Sequence, residues 1–197
     1  MATPTTISAR FQLLIRSLSF IRYHYQPLLG LGLIAALGRV AQLGGFGELP
    51  SSLNLFLEII VESSRILIFL FVLGIANIRN GYEHMRRLLT GKIRLKAAWS
   101  AVVQKKKDDW IGTLFSFIAF IAIAGGINFL INHLAYQTCL LLSLKDQGIL
   151  TPVSTEWTIL LFFKNILVIP FTLVFETMLI LWMTRHTKGT HDSLQMT

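Results

Sequence analysis

Four polar side chains recur along one strongly apolar segment of the chain. Asn54, Glu58, Glu62 and Arg65 follow one another at steps of four, four and three residues, so a helix places them on one face. A charged side chain at the centre of a bilayer costs on the order of 2.5–3.5 kcal/mol on insertion scales, so such residues are expected to face protein or water. Glu62 and Arg65 are spaced for a local ion pair.

A later apolar segment carries a second polar set, consisting of Thr158, Lys164, Asn165, Thr172 and Glu176. If both segments enter a membrane from the same side, a rise of 1.5 Å per residue puts Lys164 about 10 Å deep, between Glu58 at about 8 Å and Glu62 at about 14 Å. The sequence therefore predicts a cross-helix pair between Lys164 and one of these glutamates. Glu176 lies towards the other end of its segment, where its carboxylate can reach water.

Two interpretations of these charged residues remain open from the sequence. They can line an ion or proton path, which intramembrane ionisable residues often do. They can also form a satisfied network that holds helices in register or joins subunits. The two glutamates outnumber the cation on their own segment, which slightly favours the functional interpretation.

Sequence motifs for enzymatic chemistry are missing. The chain contains no H-E-x-x-H, G-x-S-x-G or glycine-rich phosphate loop, and its single cysteine, Cys139, excludes an intrachain disulfide. We therefore expect no cofactor and no metal, and the sequence argues against an enzyme. A lipid-modifying enzyme would need polar groups that converge near His84 or His133 at the membrane surface.

Composition identifies the class of protein. Only 14% of the 197 residues are charged and 53% are hydrophobic, whereas a soluble domain carries about 25% charged residues. The mean hydropathy is +0.62, so lipid must cover much of the surface. The net charge of +8 comes largely from segments that flank apolar stretches, where anionic headgroups rather than nucleic acid are the expected partners.

Apolar stretches predict an all-α integral membrane protein, a four-helix bundle within residues 27–197. The expected spans are about 27–46, 53–78, 111–133 and 157–183, with a basic, helical cytoplasmic loop over 79–110. Span one contains six glycines between Gly30 and Gly47 together with Arg39 and Gln42. Arg39 either holds an acidic partner or marks a helix that is only partly embedded. Pro170 predicts a kink in span four.

Small residues form one face of span three and predict a helix packing surface, either within the chain or towards a second subunit. They are Gly112, Ser116, Ala119 and Gly126.

Residues 1–26 hold apolar side chains at helical spacing and no acid. Phe11, Leu14, Ile15 and Leu18 belong to this stripe, with Arg16 off it, which favours an amphipathic helix on the membrane surface. Acid-free, Arg-containing N-termini are also typical of organelle transit peptides, which is the alternative.

The distribution of positive charge predicts the topology. Residues 79–110 contain nine Lys or Arg against three acids, whereas Lys145 is the one basic residue between 134 and 156. The positive-inside rule then places both termini in the cytoplasm. A bacterial inner membrane is the first expectation, with an organelle membrane as the alternative.

Taken together, these features favour a subunit of an oligomeric channel, pore or transporter. Its partners would be the bilayer with anionic headgroups and further copies of the chain or another membrane protein. The rival hypothesis is a non-conducting scaffold or accessory subunit that recruits a partner through its basic loop.

Overall fold

The computed structural model describes residues 11–90 and 107–185, of which 83% are helical and none lies in a strand. This confirms the all-α prediction. In chain order the helices are α1 (Gln12–Tyr23), α2 (Tyr25–Gln42), α3 (Ser51–Leu73), α4 (Ile78–Leu89), α5 (Lys107–Gln137), α6 (Leu140–Asp146), α7 (Glu156–Phe163), a π-helical turn (Lys164–Val168) and α8 (Ile169–Arg185).

Two helical stretches are long and apolar enough to span a membrane. They are Ile111–Gln137, with a mean hydropathy of 2.3, and Glu156–Met183, with 2.2. Helices α3 and α4 meet the same test only as a pair, and they are bent by 88° at the break between them. The described residues therefore contain two candidate spans, or three if the bent pair is one span. The predicted first span coincides with α2, which is not among these candidates, so the four-span bundle stays a prediction.

Helix α5 is apolar around most of its circumference and is little buried. Only 17% of an 18-residue stretch within Ile111–Gln137 is buried, and large side chains such as Phe117, Ile118, Phe129 and Leu130 are exposed. A helix that is hydrophobic on all sides requires an apolar environment around it. This exposure supports a membrane location for the chain.

The described chain divides into two compact units. The first comprises residues 11–23, 69–90, 107–121 and 174–185, and the second comprises 24–68 and 122–173. In the first unit, the rings of Phe120 and Phe175 stack with their centroids 4.1 Å apart, and Phe20 of α1 meets Phe71 of α3 edge to face at 6.0 Å.

The buried face of α1 differs from the predicted stripe. Leu13, Leu14, Ser17 and Phe20 are buried, whereas Ile15 and Leu18 are 45% and 43% exposed. The helix therefore uses one face for packing inside its unit, which the amphipathic pattern alone did not reveal. Its placement on a membrane surface stays a prediction. Residues 1–10 of the predicted segment, residues 91–106 of the basic loop and the tail 186–197 lie outside the described residues.

The turn between α3 and α4 has unusual backbone geometry. Ile75 and Ala76 have φ angles of 45° and 68°, in the left-handed region that β-branched residues rarely adopt. The side chain of Asn77 then accepts hydrogen bonds from the backbone N–H groups of Arg79 and Asn80 at 3.0 and 3.3 Å. This N-cap starts α4 immediately after the turn.

The second unit is built around α2. Its core consists of Val40, Ile131, Ala135, Leu141, Leu150, Ile159 and Leu160. Two of the glycines in the predicted first span permit close approach. A Cβ added at Gly32 would lie 3.0 Å from the carbonyl oxygen of Asn165, and one at Gly38 would lie 2.7 Å from Cγ2 of Val61. Small residues thus bring α2 against both the π turn and α3.

Gly81 provides a test of the turn that joins α3 to α4. A Cβ added there would lie 1.9 Å from the carbonyl oxygen of Leu70, so Gly81→Ala forces backbone apart. We expect this variant to lower the free energy of unfolding by about 1–3 kcal/mol, the usual cost of overpacking, measured by thermal or denaturant unfolding in detergent micelles. The matched control is Gly30→Ala, whose added Cβ meets no atom within 4 Å. Equal stability of the two variants would contradict the described turn.

Candidate functional site

The polar side chains on α3 lie within a network in the second unit. The Arg39 guanidinium, from α2, donates to both oxygens of Glu58, with Nη1 2.6 Å from Oε2 and Nη2 3.0 Å from Oε1. This paired geometry is the strongest form of an Arg–carboxylate contact. Nη2 also donates to Oε1 of Glu62 at 3.0 Å, so one cation bridges two successive turns of α3.

Arg65 completes the network from the same helix. Its Nη1 donates to Oε1 of Glu62 at 2.7 Å, which is the local pair expected from the three-residue spacing. Its Nη2 donates to Oδ1 of Asn165 at 3.0 Å. Oε1 of Glu62 is therefore shared between two guanidinium groups, and the network contains two cations and two carboxylates.

Gln42 stabilises the Arg39 end of the network. Its side-chain oxygen accepts a bond from Nη1 of Arg39 at 2.9 Å, and its Nε2 donates to Oε2 of Glu58 at 2.9 Å. The same Nε2 lies 3.2 Å from the backbone oxygen of Asn54. Arg39 and Gln42 are three residues apart, so both reach α3 from the last turn of α2.

Asn165 is the innermost member and lies in the π-helical turn. It is 1% exposed, and its Nδ2 donates to the carbonyl oxygen of Leu161 at 2.7 Å. The backbone N–H of Ile169 bonds back to Lys164, five residues earlier, immediately before Pro170. A proline lacks the N–H for an α-helical bond and its ring clashes with the preceding turn, which accounts for a wide turn at this point; the kink itself stays a prediction. Single π turns of this kind occur frequently at functional sites.

Lys164 does not occupy the position expected from the sequence. It takes part in none of the ion pairs of the described residues, and the cross-helix cation on Glu58 and Glu62 is Arg39. The prediction rested on the position of Lys164 along its helix, and this position does not determine the direction in which a side chain projects. Arg39 instead pairs with Glu58 and Glu62. An acidic partner was one of the two alternatives that the sequence offered for Arg39.

The remaining candidate residues lie in different surroundings. Glu176 is exposed on the part of α8 that belongs to the first unit. Of the predicted packing face, Gly112 and Ser116 are buried and Ala119 is partly buried. Gly126 is exposed, and a Cβ added to it or to Gly125 would meet no atom within 4 Å. The structure thus brings together Glu58, Glu62, Arg65 and Asn165, and it adds Arg39 and Gln42.

The network is accessible on one side. The side chains of Glu58 and Glu62 are 43% and 45% exposed, whereas those of Arg39 and Arg65 are 22% and 25% exposed. Oε2 of Glu62 accepts no hydrogen bond from the described residues, since the contacts of this carboxylate all use Oε1. The more exposed part of the network is therefore anionic and retains an unused acceptor.

A double-mutant cycle tests the assigned ion pair. We expect Arg39→Gln and Glu58→Gln each to lower the apparent melting temperature in micelles, because each leaves a charge without its partner. The double variant should lose less stability than the sum of the two single losses, which is the signature of direct coupling. Lys164→Gln is the control and should stay near the native value. A Lys164 variant that couples to Glu58 while Arg39 does not would contradict this assignment.

Comparisons with known proteins give no relative from which a function could be inferred. No family model, curated protein or solved structure matches the chain.

Proposed function

We propose that the chain is a subunit of an oligomeric membrane channel or transporter in which the network of Arg39, Glu58, Glu62 and Arg65 borders a polar path. The observation that carries this proposal is the half-exposed, partly unused carboxylate of Glu62 on a helix whose other residues are mostly apolar. Hydrocarbon cannot solvate such a group, so water or another protein surface must cover it.

The arrangement of Glu62 suits reversible binding of a cation or proton. One oxygen is held by Arg39 and Arg65 at 3.0 and 2.7 Å, which fixes the carboxylate in place. The other oxygen has no partner among the described residues, so a passing cation can contact it without breaking either ion pair. Two neighbouring guanidinium groups limit how tightly that cation binds, and weak binding is what conduction requires.

Small residues support assembly of several copies. Gly125 and Gly126 lie on the exposed surface of α5, and nothing in the described chain occupies the space next to them. Membrane helices associate through such small residues because their backbones can approach closely. A contact there would join copies of the chain, and a path wide enough for ions would then form between subunits rather than within one.

The charge balance of the network favours a second candidate, a non-conducting scaffold. Two guanidinium groups face two carboxylates, and both oxygens of Glu58 are already engaged, so the network is neutral without any added ion. In that case its role is to hold α2 and α3 in register. The exposed basic residues Arg79, Arg86 and Arg87 of α4 would then bind headgroups or a partner.

Flux measurements distinguish the two candidates. In proteoliposomes under an ion or proton gradient, we expect the native chain to conduct and Glu62→Gln to lower the flux by roughly tenfold, as for a barrier raised by about 1.4 kcal/mol. Glu48→Gln is the matched control, since Glu48 is an exposed carboxylate in the loop before α3 and outside the network. Flux that is absent from the native chain, or identical in Glu62→Gln, would favour the scaffold.

Assembly has a separate test at Gly126. Because the space beside Gly126 is empty, Gly126→Leu should leave the fold of a single chain intact and act only on contacts between molecules. We expect fewer subunits per particle, measured by single-molecule photobleaching in nanodiscs, with an unchanged melting temperature in micelles. Gly30→Leu, also in open space, is the control. An unchanged subunit count in Gly126→Leu would exclude this face from the assembly contact.

A further inference from the structure

An apolar cavity lies in the second unit, at the end of α2 and beside α6 and α7. Its volume is about 360 Å³, within the range of about 300–1,000 Å³ found for ligand sites. Val40, Leu140, Leu144, Leu150, Ile159 and Phe163 form its wall, and Thr158 is the one lining residue with a polar side chain. The cavity thus offers apolar contact and almost no hydrogen bonding.

The rim of the cavity is apolar as well. Leu37, Phe46 and Ile149 line it and are 44%, 56% and 51% exposed. A polar ligand arriving from water would have to cross this rim and then lose its hydrogen bonds inside. A hydrocarbon chain would lose none. The rim therefore selects for an occupant that comes from an apolar phase.

Hydrogen bonds fix the segments next to the cavity wall. The hydroxyl of Thr151 donates to the carbonyl oxygen of Gly44 at 2.6 Å. The backbone N–H of Thr151 donates to the carbonyl oxygen of Gly45 at 3.0 Å. Lys145 Nζ donates to the carbonyl oxygen of Pro152 at 2.8 Å. The two Thr151 bonds tie the segment after α6 to the loop after α2, and the Lys145 bond ties the same segment to α6.

Water is a poor occupant of such a space. A buried water needs two to four polar partners, and the side chains of the wall supply almost none. An empty apolar cavity lacks the dispersion contacts that a close-packed interior provides. Both considerations favour an apolar occupant over water.

We propose that this cavity binds the end of one acyl chain of a membrane phospholipid. The chain carries two helical stretches able to span a membrane, and one of them begins at Glu156, three residues before Ile159 in the cavity wall. At 1.5 Å per residue, the lining residues of α7 extend about 10 Å from the start of that helix. Acyl chains are the apolar groups that a bilayer supplies at this depth. The proposal does not depend on whether the polar network conducts ions.

Photolabelling of the full chain in nanodiscs tests the assignment. The probe is phosphatidylcholine with a diazirine near the end of one acyl chain, and adducts are mapped by mass spectrometry. Leu150 and Ile159 are 7% and 3% exposed, so bulk lipid does not reach them. We expect adducts on these two residues, in addition to the adducts that bulk lipid forms on exposed Leu167. Adducts on Leu167 alone would overturn the proposal.

A substitution at the rim supplies the specific control. Ile149→Trp should block the entrance and lower the adducts on Leu150 and Ile159 by roughly tenfold, the loss expected when about two methylene groups stay outside. Val153→Trp, in the same segment but outside the cavity lining, should leave them unchanged. Adducts on Leu167 report that either variant is folded and embedded. Equal labelling of the cavity in both variants, or labelling by a diazirine fatty acid but not by the phospholipid, would contradict the proposed occupant.

Discussion

The second unit depends on the guanidinium of Arg39 lying across two carboxylates of α3. Without it, α3 would carry two negative charges on an apolar helix and only one cation of its own, Arg65. Arg39 reaches them because Gly38 lets α2 approach α3 to within contact of Val61. The small residues of α2 therefore allow close packing against α3, and this packing brings the Arg39 guanidinium to the carboxylates that need a positive partner.

The π turn connects the Arg39–Glu58–Glu62–Arg65 network to α7. Pro170 disturbs the helix before it, and the resulting wide turn contains Asn165, whose amide both accepts from Arg65 and donates to Leu161. Gly32 lets α2 lie against the same turn. A helix defect that would cost stability in an isolated span thus acquires hydrogen-bond partners on both sides, which explains how a buried asparagine is tolerated at this position.

Part of this site could be predicted from the sequence, because it is local. The spacing of Glu58, Glu62 and Arg65 determines a shared helix face and a pair between Glu62 and Arg65. The partner of Glu58 could not be predicted, since Arg39 and Lys164 were both available and helical rise gives depth but not direction. The π turn creates a separate uncertainty for the residues that follow it, because an extra residue in a turn rotates them by about 100°. The sequence signal for the partner of Glu58 was the pair Arg39 and Gln42, which stand three residues apart in a glycine-rich helix.

The all-helical class could be predicted from composition. The number of membrane spans could not, because α2 combines apolar residues with a charge.

Helix α2 also connects the polar network to the apolar cavity. Arg39 and Gln42 bind the carboxylates, whereas Leu37 and Val40 line the cavity, so the two sites use alternate residues of the same last helical turns. The backbone that positions Arg39 is therefore also part of the cavity wall. The end of α2 is thus constrained from two sides, since its charged and polar residues must reach α3 while its apolar residues line the cavity.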